Sequence, residues 1–221
     1  MIPKIIHQTA MTDETKWHPD WKRCSDTWKT YFPDWEFKIW NDEEIDSFMK
    51  INYPDIYPVF CKFPRQIFRV DMWRYYVLYH YGGMYVDMDY ECFRNFESEI
   101  PDDKVAIVES PFASTVTEQV QNSLMTSPKN DKTWINVFRF FHNDCRQKLR
   151  FYQNMSWVKY SPEVLTGPIM LTRIFKGIDT SKYKIYPAKM FSGNGHEIQC
   201  ENMFCKHHGT MTWAKLGRAW H

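Results

Sequence analysis

The sequence predicts an α/β protein with a single Rossmann-like, mostly parallel sheet and helices on both faces. Short strand-like runs alternate with helical segments along the chain, an order that favours parallel strands joined by covering helices. The 221 residues suit one domain, residues 1–221, with one sizeable core. Hydrophobic residues make up 43% of them, which argues against a disordered chain. Sheets of this class bind ligands at strand ends, where the strand order switches, so we expect the functional site there.

The first 81 residues contain two predicted strands and three predicted helices. Residues 35–40 alternate with the period of two that a strand requires. Asn41 and Asp42 belong to the residue types that cap helix starts, and Gly82-Gly83 is a helix-ending signal. We therefore predict strands at residues 2–8 and 35–40 and helices at residues 19–30, 43–50 and 65–81.

The rest of the chain, after the two glycines, continues the alternation. Residues 131–149 have the pattern of a long amphipathic helix. The sequence Thr166-Gly-Pro168 indicates a helix start, with Thr166 as the cap and the proline in the first turn. We predict strands at residues 84–89, 105–109, 122–126 and 184–187.

The charge balance and the cysteine pattern narrow the class of protein. Lys and Arg total 28 while Asp and Glu total 27, so bulk charge does not favour nucleic acid as a partner. No run of about 18 apolar residues indicates a transmembrane segment, and no secretory signal opens the chain. Six scattered cysteines favour a reduced, cytoplasmic protein, with a membrane anchor outside these residues left open. Cys200 and Cys205 precede His207-His208 with a spacing too loose to define a zinc motif.

The strongest chemical signal is the pair of acids that follows the two glycines. Period-two alternation in a strand at residues 84–89 places Asp87 and Asp89 on one face. Two carboxylates there favour a hard divalent cation, which can neutralise charge on a leaving diphosphate. Two acids at a strand end can also be a solvated turn, and the glycines can serve only a tight helix-to-strand connection.

The preceding helix adds a second pair. Asp71 and Arg74 are three residues apart, so they share a helical face just before the turn that carries the acids. Such a pair can be a surface ion pair of little energetic weight. In a ligand site, Asp71 would accept hydrogen bonds from sugar hydroxyls, and Arg74 would donate to sugar or phosphate oxygens.

Together with four other blocks, these motifs resemble glycosyltransferase family 32, the DXD-containing sugar transferases related to the catalytic core of large clostridial glucosylating toxins. The matching blocks occur in order along nearly the whole chain: residues 2–8, Asp71-x-x-Arg74, residues 82–89, residues 122–128, residues 166–168 and residues 207–213. The resemblance implies a GT-A fold, a Mn²⁺ or Mg²⁺ ion, a nucleotide-sugar donor and transfer of a hexose with retention of configuration.

The resemblance also implies roles for single residues. Asp71 and Arg74 would hold the donor sugar, Tyr85 and Asp87 would contact ribose and sugar, and Asp89 would be the main metal ligand, with Asp87 reaching the same metal. The remaining roles are a late metal ligand from His208 or His207, an indole N–H from Trp213 to the diphosphate, and contacts of Ile6-His7-Gln8 with the base or ribose. Asn122 is a further candidate for a sugar contact.

The donor and acceptor stay open at this stage. The resemblance fits UDP-glucose, UDP-galactose and GDP-mannose, of which we expect a UDP-sugar; the acceptor hydroxyl can belong to a glycan, a lipid or a protein, and the oligomeric state is not predicted. Two other functions fit part of the pattern. An Asp-x-Asp motif with late histidines also suits a metal-dependent phosphohydrolase or nuclease, although the neutral charge and the Asp71–Arg74 pair count against it. A sugar-binding module without catalysis is the non-enzymatic alternative.

Overall fold

A computed structural model describes residues 2–111, 119–145, 161–193 and 202–210. Its strands are β1 (Ile5–Thr9), β2 (Glu36–Trp40), β3 (Gly83–Val86), β4 (Tyr90–Cys92), β5 (Val105–Glu109), β6 (Val120–Ser127), β7 (Tyr183–Tyr186) and β8 (Cys205–His207). Its helices are α1 (Pro19–Tyr31), α2 (Asp42–Asn52), α3 (Tyr57–Phe60), α4 (Gln66–Tyr81), α5 (Trp134–Arg139), α6 (Pro162–Leu165), α7 (Pro168–Phe175) and α8 (Ala188–Phe191). Short 3₁₀ turns lie at Glu14–Lys16, Glu97–Glu99 and Thr180–Lys182.

Six strands form the central sheet in the order β2-β1-β3-β6-β5-β7. The pairs β1–β2, β1–β3 and β5–β7 are parallel, whereas β6 is antiparallel to both of its neighbours. Five of the six strands therefore run in one direction, as the sequence predicts. A second, two-stranded antiparallel sheet joins β4 to β8.

Helices cover both faces of this sheet. Met84 and Val86 point into one hydrophobic cluster, which contains Trp28 of α1. Tyr85, between them, points into the other cluster, which contains the apolar residues of α2 to α7. The alternation along β3 thus divides the core into two layers, because successive side chains of a strand face opposite sides. Among the described residues, no helix has the length and apolar character that crossing a membrane requires.

Two glycines connect α4 to β3. Gly82 has a φ of 73° and Gly83 a φ of 92°, a region that residues with a Cβ rarely adopt. A Cβ at Gly83 would also lie 2.4 Å from the carbonyl oxygen of Ile5, on the neighbouring strand β1. Both glycines are therefore required by the turn and by the close approach of β3 to β1.

The predicted strand at residues 84–89 is wrong in its last three residues. β3 ends at Val86, and Asp87 to Asp89 form a turn closed by a hydrogen bond from Tyr90 N to the Asp87 carbonyl at 3.1 Å. The predicted first strand also begins too early, because the chain bends at Pro3, whose carbonyl accepts from Ile5 N at 2.9 Å. The turn places the two acids by its own geometry rather than by strand alternation.

Two helix predictions need correction. Thr166 does not cap α7: Gly167 is the N-cap residue, and the Thr166 hydroxyl donates to Asp71 instead. The helix predicted at residues 131–149 begins at Trp134 and widens into a π-helical stretch at Phe140–Cys145, after which the chain leaves the described residues.

Candidate functional site

The chain brings the start of α4 to the end of β3. Because α4 and β3 are joined by a two-glycine turn, they run antiparallel. Residues of α4 and of the strand segment that are equally far from the turn therefore lie side by side. Arg74 and Asp71 are seven and ten residues before the end of α4, or about 10–15 Å along a helix. Asp87 directly follows β3 and is four residues after Gly83, or about 13 Å along an extended chain. The sequence spacing thus places the helix pair beside the acidic turn.

Arg74 is the centre of the resulting cluster. Its Nη2 lies 3.1 Å from Asp71 Oδ1, and its Nη1 lies 3.4 Å from Asp87 Oδ1. Nη1 also donates to the Asn122 carbonyl at 2.7 Å, and the guanidinium sits 4.5 Å from the centre of the Tyr85 ring. Arg74 is 3% exposed and Asp71 5%, so the ion pair is buried. A surface pair, the alternative that the sequence allowed, is excluded.

Asp71 is held by donors from three segments of the chain. Besides Arg74, Asn122 Nδ2 donates to Oδ1 at 3.0 Å and Thr166 Oγ1 donates to Oδ2 at 3.0 Å. Burial raises the pKa of Asp71 to about 6, although the positive charge of Arg74 opposes this rise. The carboxylate is therefore fixed in one orientation and is costly to ionise.

Tyr75 supports this arrangement from behind. Its hydroxyl accepts from Asn122 Nδ2 at 3.0 Å and donates to the Thr166 carbonyl at 2.8 Å. Sequence reasoning missed both Tyr75 and the role of Thr166. The block at residues 166–168 was a usable signal for Thr166, but it predicted a helix cap rather than a contact with Asp71. Nothing in the sequence distinguishes Tyr75 from the other tyrosines of α4.

The acidic turn brings a third group into the site. Ligand atoms of Asp87, Asp89 and His207 all lie within 4.8 Å of one another. His207 Nε2 is 3.2 Å from Asp89 Oδ1, and its ring stacks on Tyr90 with centroids 4.7 Å apart. The cause is the register of the small sheet, in which Tyr90 pairs directly with His207.

Hydrogen bonds fix Asp89 and set its ionisation. Its Oδ2 accepts from both the backbone N and the hydroxyl of Thr210, at 2.8 and 2.9 Å. Burial alone would raise the pKa of Asp89, but His207 and these two hydrogen bonds outweigh burial and lower it below its ordinary value. Burial raises the pKa of Asp87, against the charge of Arg74. Two carboxylates and one imidazole form a donor set that fits Mn²⁺.

The neighbouring histidine points elsewhere. His208 Nε2 lies 2.8 Å from Glu91 Oε2, while its backbone N donates to the Asp89 carbonyl at 3.0 Å. The sequence left open which of the two histidines accompanies the acids. The geometry groups His207 with Asp87 and Asp89.

His7 lies inside the molecule, with both ring nitrogens engaged. Its Nδ1 accepts from Trp40 Nε1 at 3.2 Å, and its Nε2 is 3.1 Å from the Gly82 carbonyl, which fits the neutral ring with the proton on Nε2. Burial lowers the pKa of His7 to about 4, although the hydrogen bond to Gly82 opposes this. His7 thus joins β1 to β2 and to the glycine turn.

The other residues predicted to contact the nucleotide-sugar donor are Ile6, Gln8 and Trp213. Ile6 is fully buried in the core cluster on the α1 side of the sheet. Gln8 Oε1 accepts from Ser25 at 2.6 Å, while its buried Nε2 has no hydrogen-bond partner among the described residues. Trp213 lies outside the described residues.

The chain matches known proteins in its sequence. Residues 18–106 match the family model described as a glycosyltransferase sugar-binding region containing a DXD motif. The chain is 32% identical over 176 residues to inositol phosphoceramide mannosyltransferase 3 of Schizosaccharomyces pombe, a match covering 79% of the chain and 45% of that relative. It is 42% identical over 98 residues to inositol phosphoceramide mannosyltransferase 2 of the same yeast, covering 44% of the chain and 28% of the relative.

A third relative aligns with the whole chain. A mannosyl phosphorylinositol ceramide synthase of Saccharomyces cerevisiae is 27% identical over 224 residues, which cover 100% of the chain and 53% of the relative. The chain thus spans about half or less of the length of these relatives. Among solved structures, the PaToxG glycosyltransferase superposes with a TM-score of 0.56 at 18% identity, covering 80% of the chain and 69% of that protein. That likeness concerns the fold and confirms the predicted α/β architecture.

Proposed function

We propose that this chain transfers a sugar from a nucleoside diphosphate sugar to a hydroxyl acceptor. In support, residues 18–106 match the family model of a glycosyltransferase sugar-binding region containing a DXD motif, as the motifs predict. The observation that carries the proposal is the convergence of a buried Asp71–Arg74 pair with Asp87, Asp89 and His207 at one end of the sheet. A buried ion pair contributes little net stability, so its retention beside a cation-binding set favours a role in binding and catalysis.

Asp87, Asp89 and His207 would hold Mn²⁺ at this site. Without a cation, the two carboxylates would repel the diphosphate of the donor. When bound, the ion would supply the positive charge that offsets the negative charge growing on the leaving diphosphate. The mixed oxygen and nitrogen donor set favours Mn²⁺ over Mg²⁺, which prefers oxygen ligands.

Asp71 and Arg74 would orient the donor sugar. Asp71 Oδ2 accepts a hydrogen bond from Thr166. Because a carboxylate oxygen has two lone pairs, Oδ2 can accept a second hydrogen bond, from a sugar hydroxyl. Arg74 Nε is buried without a hydrogen-bond partner among the described residues, and a donor in that position is available to a ligand oxygen. Burial raises the pKa of both Asp71 and Asp87, and the positive charge of Arg74 opposes this rise and so favours their ionised forms.

Transfer would proceed with the acceptor hydroxyl attacking the sugar from the face that the diphosphate leaves. A double displacement requires a carboxylate that is free to bond to the sugar carbon. Asp71, which we place nearest the sugar, is restrained by three donors. The leaving phosphate oxygen would take the proton of the acceptor hydroxyl.

Mannose is the sugar we propose, and an inositol-phosphate sphingolipid is the acceptor. The support is the names of the relatives, which are mannosyltransferases acting on inositol phosphoceramide. The donor to test first is therefore GDP-mannose rather than the UDP-sugar expected from the resemblance. UDP-glucose and UDP-galactose remain as competing donors in the same assay.

The test is incubation of the chain with each nucleotide sugar, with and without Mn²⁺ and detergent-solubilised inositol phosphoceramide. We expect Mn²⁺-dependent release of nucleoside diphosphate from GDP-mannose and formation of mannosylated lipid. Release from plain nucleotides would instead indicate a phosphohydrolase, and binding without any turnover would indicate a silent sugar-binding module. Transfer to another acceptor, or from UDP-glucose, would contradict the substrate assignment but not the reaction class.

Asp89→Asn tests the metal site within this assay. The amide cannot supply the anionic oxygen that the cation requires, so Mn²⁺-dependent turnover should fall at least 100-fold. Asp103→Asn, which changes an exposed aspartate outside the acidic turn, is the control and should retain activity. Full activity of Asp89→Asn would refute the proposed metal site.

A further inference from the structure

A second cluster of metal-ligand side chains lies beside the acidic turn. Cys24 of α1, Glu91 of β4 and His208, directly after β8, bring one sulfur, one oxygen and one nitrogen within 4.8 Å of one another. This cluster shares no residue with Asp87, Asp89 and His207. The proposed reaction assigns it no role, and of its three residues the motif analysis considered only His208, as the alternative to His207 beside the acidic turn.

Hydrogen bonds between α1 and β4 fix the position of the cysteine. Trp28 Nε1 donates to the Tyr90 carbonyl at 2.8 Å, and Cys92 N donates to Thr27 Oγ1 at 2.9 Å. Cys24 lies one helical turn before these anchors, so its side chain is on the same face of α1. The three ligand residues thus come from segments that the fold holds rigidly together.

The contacts of Glu91 direct one of its oxygens toward Arg23 and the other toward His208, the third residue of the cluster. Arg23 Nη1 contacts Oε1, while Oε2 faces His208 Nε2 at 2.8 Å. The hydrogen bond to Cys24 Sγ comes from Arg23 Nη2 and is long, at 3.7 Å. The arginine therefore holds the carboxylate and offsets negative charge near the thiol without occupying Oε2.

We propose that Cys24, Glu91 and His208 bind a zinc ion, with a fourth position open to water. Thiolate, imidazole and carboxylate are the protein ligands of zinc. Tetrahedral coordination at the usual bond lengths separates an oxygen from a nitrogen by about 3.3 Å and a sulfur from either by about 3.5 Å. The Glu91–His208 pair, at 2.8 Å, would open by about 0.5 Å to reach this geometry, and the sulfur lies within 4.8 Å of both partners.

The two neighbouring clusters would select different metals. Asp87, Asp89 and His207 offer mainly hard oxygen donors, which suit Mn²⁺, whereas the Cys24 cluster contains a soft sulfur, which favours zinc. Zinc would also join α1 and β4 to the segment that carries His207 and Thr210. It would thereby stabilise the fold around the acidic turn. This inference does not depend on the proposed sugar transfer.

Cobalt titration of the reduced, metal-stripped chain tests the site. Co²⁺ replaces zinc in such sites, and a bond to thiolate gives a near-ultraviolet charge-transfer band that oxygen and nitrogen ligands do not give. We expect this band to saturate at one equivalent of Co²⁺ and to disappear when Zn²⁺ is added. Zn²⁺ should also raise the Tm, because it binds the folded chain.

Variants assign the band to the cluster. Cys24→Ser should abolish it, whereas Cys61→Ser, at an exposed free cysteine, should leave it unchanged. Asp89→Asn should also keep the band, which separates this site from the one proposed for Mn²⁺. His208→Gln keeps the thiol and should weaken Co²⁺ binding at least ten-fold. If Cys24→Ser does not fold, this variant shows whether the cluster is the Co²⁺ site. No band in the wild-type chain, or the same band in Cys24→Ser, would overturn the proposal.

Discussion

At the scale of single residues, the contacts of Arg74 show why substitutions in this site lower the stability of the folded chain. A guanidinium that is 3% exposed faces two carboxylates, Asp71 and Asp87. Removing one partner of such a group leaves an uncompensated charge in a medium that solvates it poorly, a cost of several kcal/mol. Substitutions of Arg74 therefore confuse lost function with lost stability. A neutral residue that holds Asp71 gives a cleaner test.

Thr166→Val is that test. It keeps the shape of the side chain but removes the hydrogen bond to Asp71 Oδ2. A hydrogen bond to a charged group contributes about 1.5–3 kcal/mol, so we expect kcat/KM for the sugar nucleotide to fall at least ten-fold. The pKa of Asp71, about 6 in the folded chain, should rise because that bond favours the ionised form. The acidic limb of the pH–rate profile should therefore move to higher pH.

Two further variants make the result specific. Thr166→Ser retains the hydroxyl and should restore both the rate and the pH profile. Thr172 is an equally buried threonine whose hydroxyl accepts from Gln119 N and Val120 N, away from Asp71. If Thr172→Val lowers activity as much as Thr166→Val, or if the pH profile does not move, Thr166 has only a structural role.

At the scale of elements, the ends of helices and strands determine where the site forms. The capping box of Asn41 and Glu44 starts α2, as the residue types predict. Gly82 and Gly83 end α4 and turn the chain at once into β3. Because this turn has no spare residues, α4 and β3 stay in a fixed register, and that register brings Arg74 to Asp87.

Gly83→Ala should disrupt this register. The added Cβ would meet the Ile5 carbonyl at 2.4 Å, at a φ of 92° that alanine rarely adopts. Strain and overpacking of this kind each cost about 1–3 kcal/mol, so we expect the free energy of unfolding to fall by roughly 3 kcal/mol in urea titrations.

Gly177→Ala is the matched control for the element scale. A Cβ at Gly177 would make only an ordinary contact, with the Ile174 carbonyl at 3.4 Å. Its unfolding free energy should stay within about 0.5 kcal/mol of the wild type, apart from any effect on the unfolded chain. Equal stability of the Gly83 and Gly177 variants would show that β3 can move away from β1 at little cost.

At the scale of the whole molecule, two hydrophobic layers enclose a sheet whose strand ends carry the polar site. The larger layer packs α2 to α7 on one face, and the smaller packs α1 and α8 on the other. His7 is a buried polar link from β1 to β2 and to the glycine turn before β3, since it bonds Trp40 and the carbonyl of Gly82. Its protonation is therefore coupled to unfolding of the molecule.

His7 should make global stability depend on pH. Its pKa is lowered from 6.5 to about 4 in the folded chain, so the unfolded chain binds the proton more readily. The stability that the neutral ring contributes is present above pH 6.5 and is lost as the pH falls toward 4, by up to about 3 kcal/mol. Asp71, whose pKa is raised to about 6, acts in the opposite direction between pH 4 and 6.

The comparison of variants isolates the contribution of His7. In His7→Gln, unfolding free energies measured in urea from pH 7 to pH 4 should fall less steeply than in the wild type. His142, which is exposed, serves as the control, and His142→Gln should keep the wild-type slope. Identical slopes for wild type and His7→Gln would mean that the ring is already protonated or accessible in the folded chain.

The sequence by itself determined the six strands of the central sheet, the longer helices, the fold class and most of the acidic motif, but not the small β4–β8 sheet or the short helices α3, α6 and α8. These features depend on neighbouring residues: alternation defines a strand, a capping residue starts a helix, and paired glycines end one. Four site residues could be singled out because they lie close together in the sequence. Asp71 and Arg74 are in α4, and Asp87 and Asp89 are in the turn that follows the next strand, β3. The predictions were wrong where a residue distant in the sequence competes for a side chain. At Thr166, the hydroxyl donates to Asp71 instead of capping a helix.

The tertiary structure alone decided which groups complete the site. Asn122, Thr166 and Thr210 reach their aspartates across 51, 95 and 121 residues of chain, distances over which local patterns carry no information. The same holds for the choice of His207 over His208, which follows from the register of β8 on β4. It holds as well for the approach of Cys24 to Glu91. Local preferences fix the backbone of each segment, but only packing fixes which side chains meet.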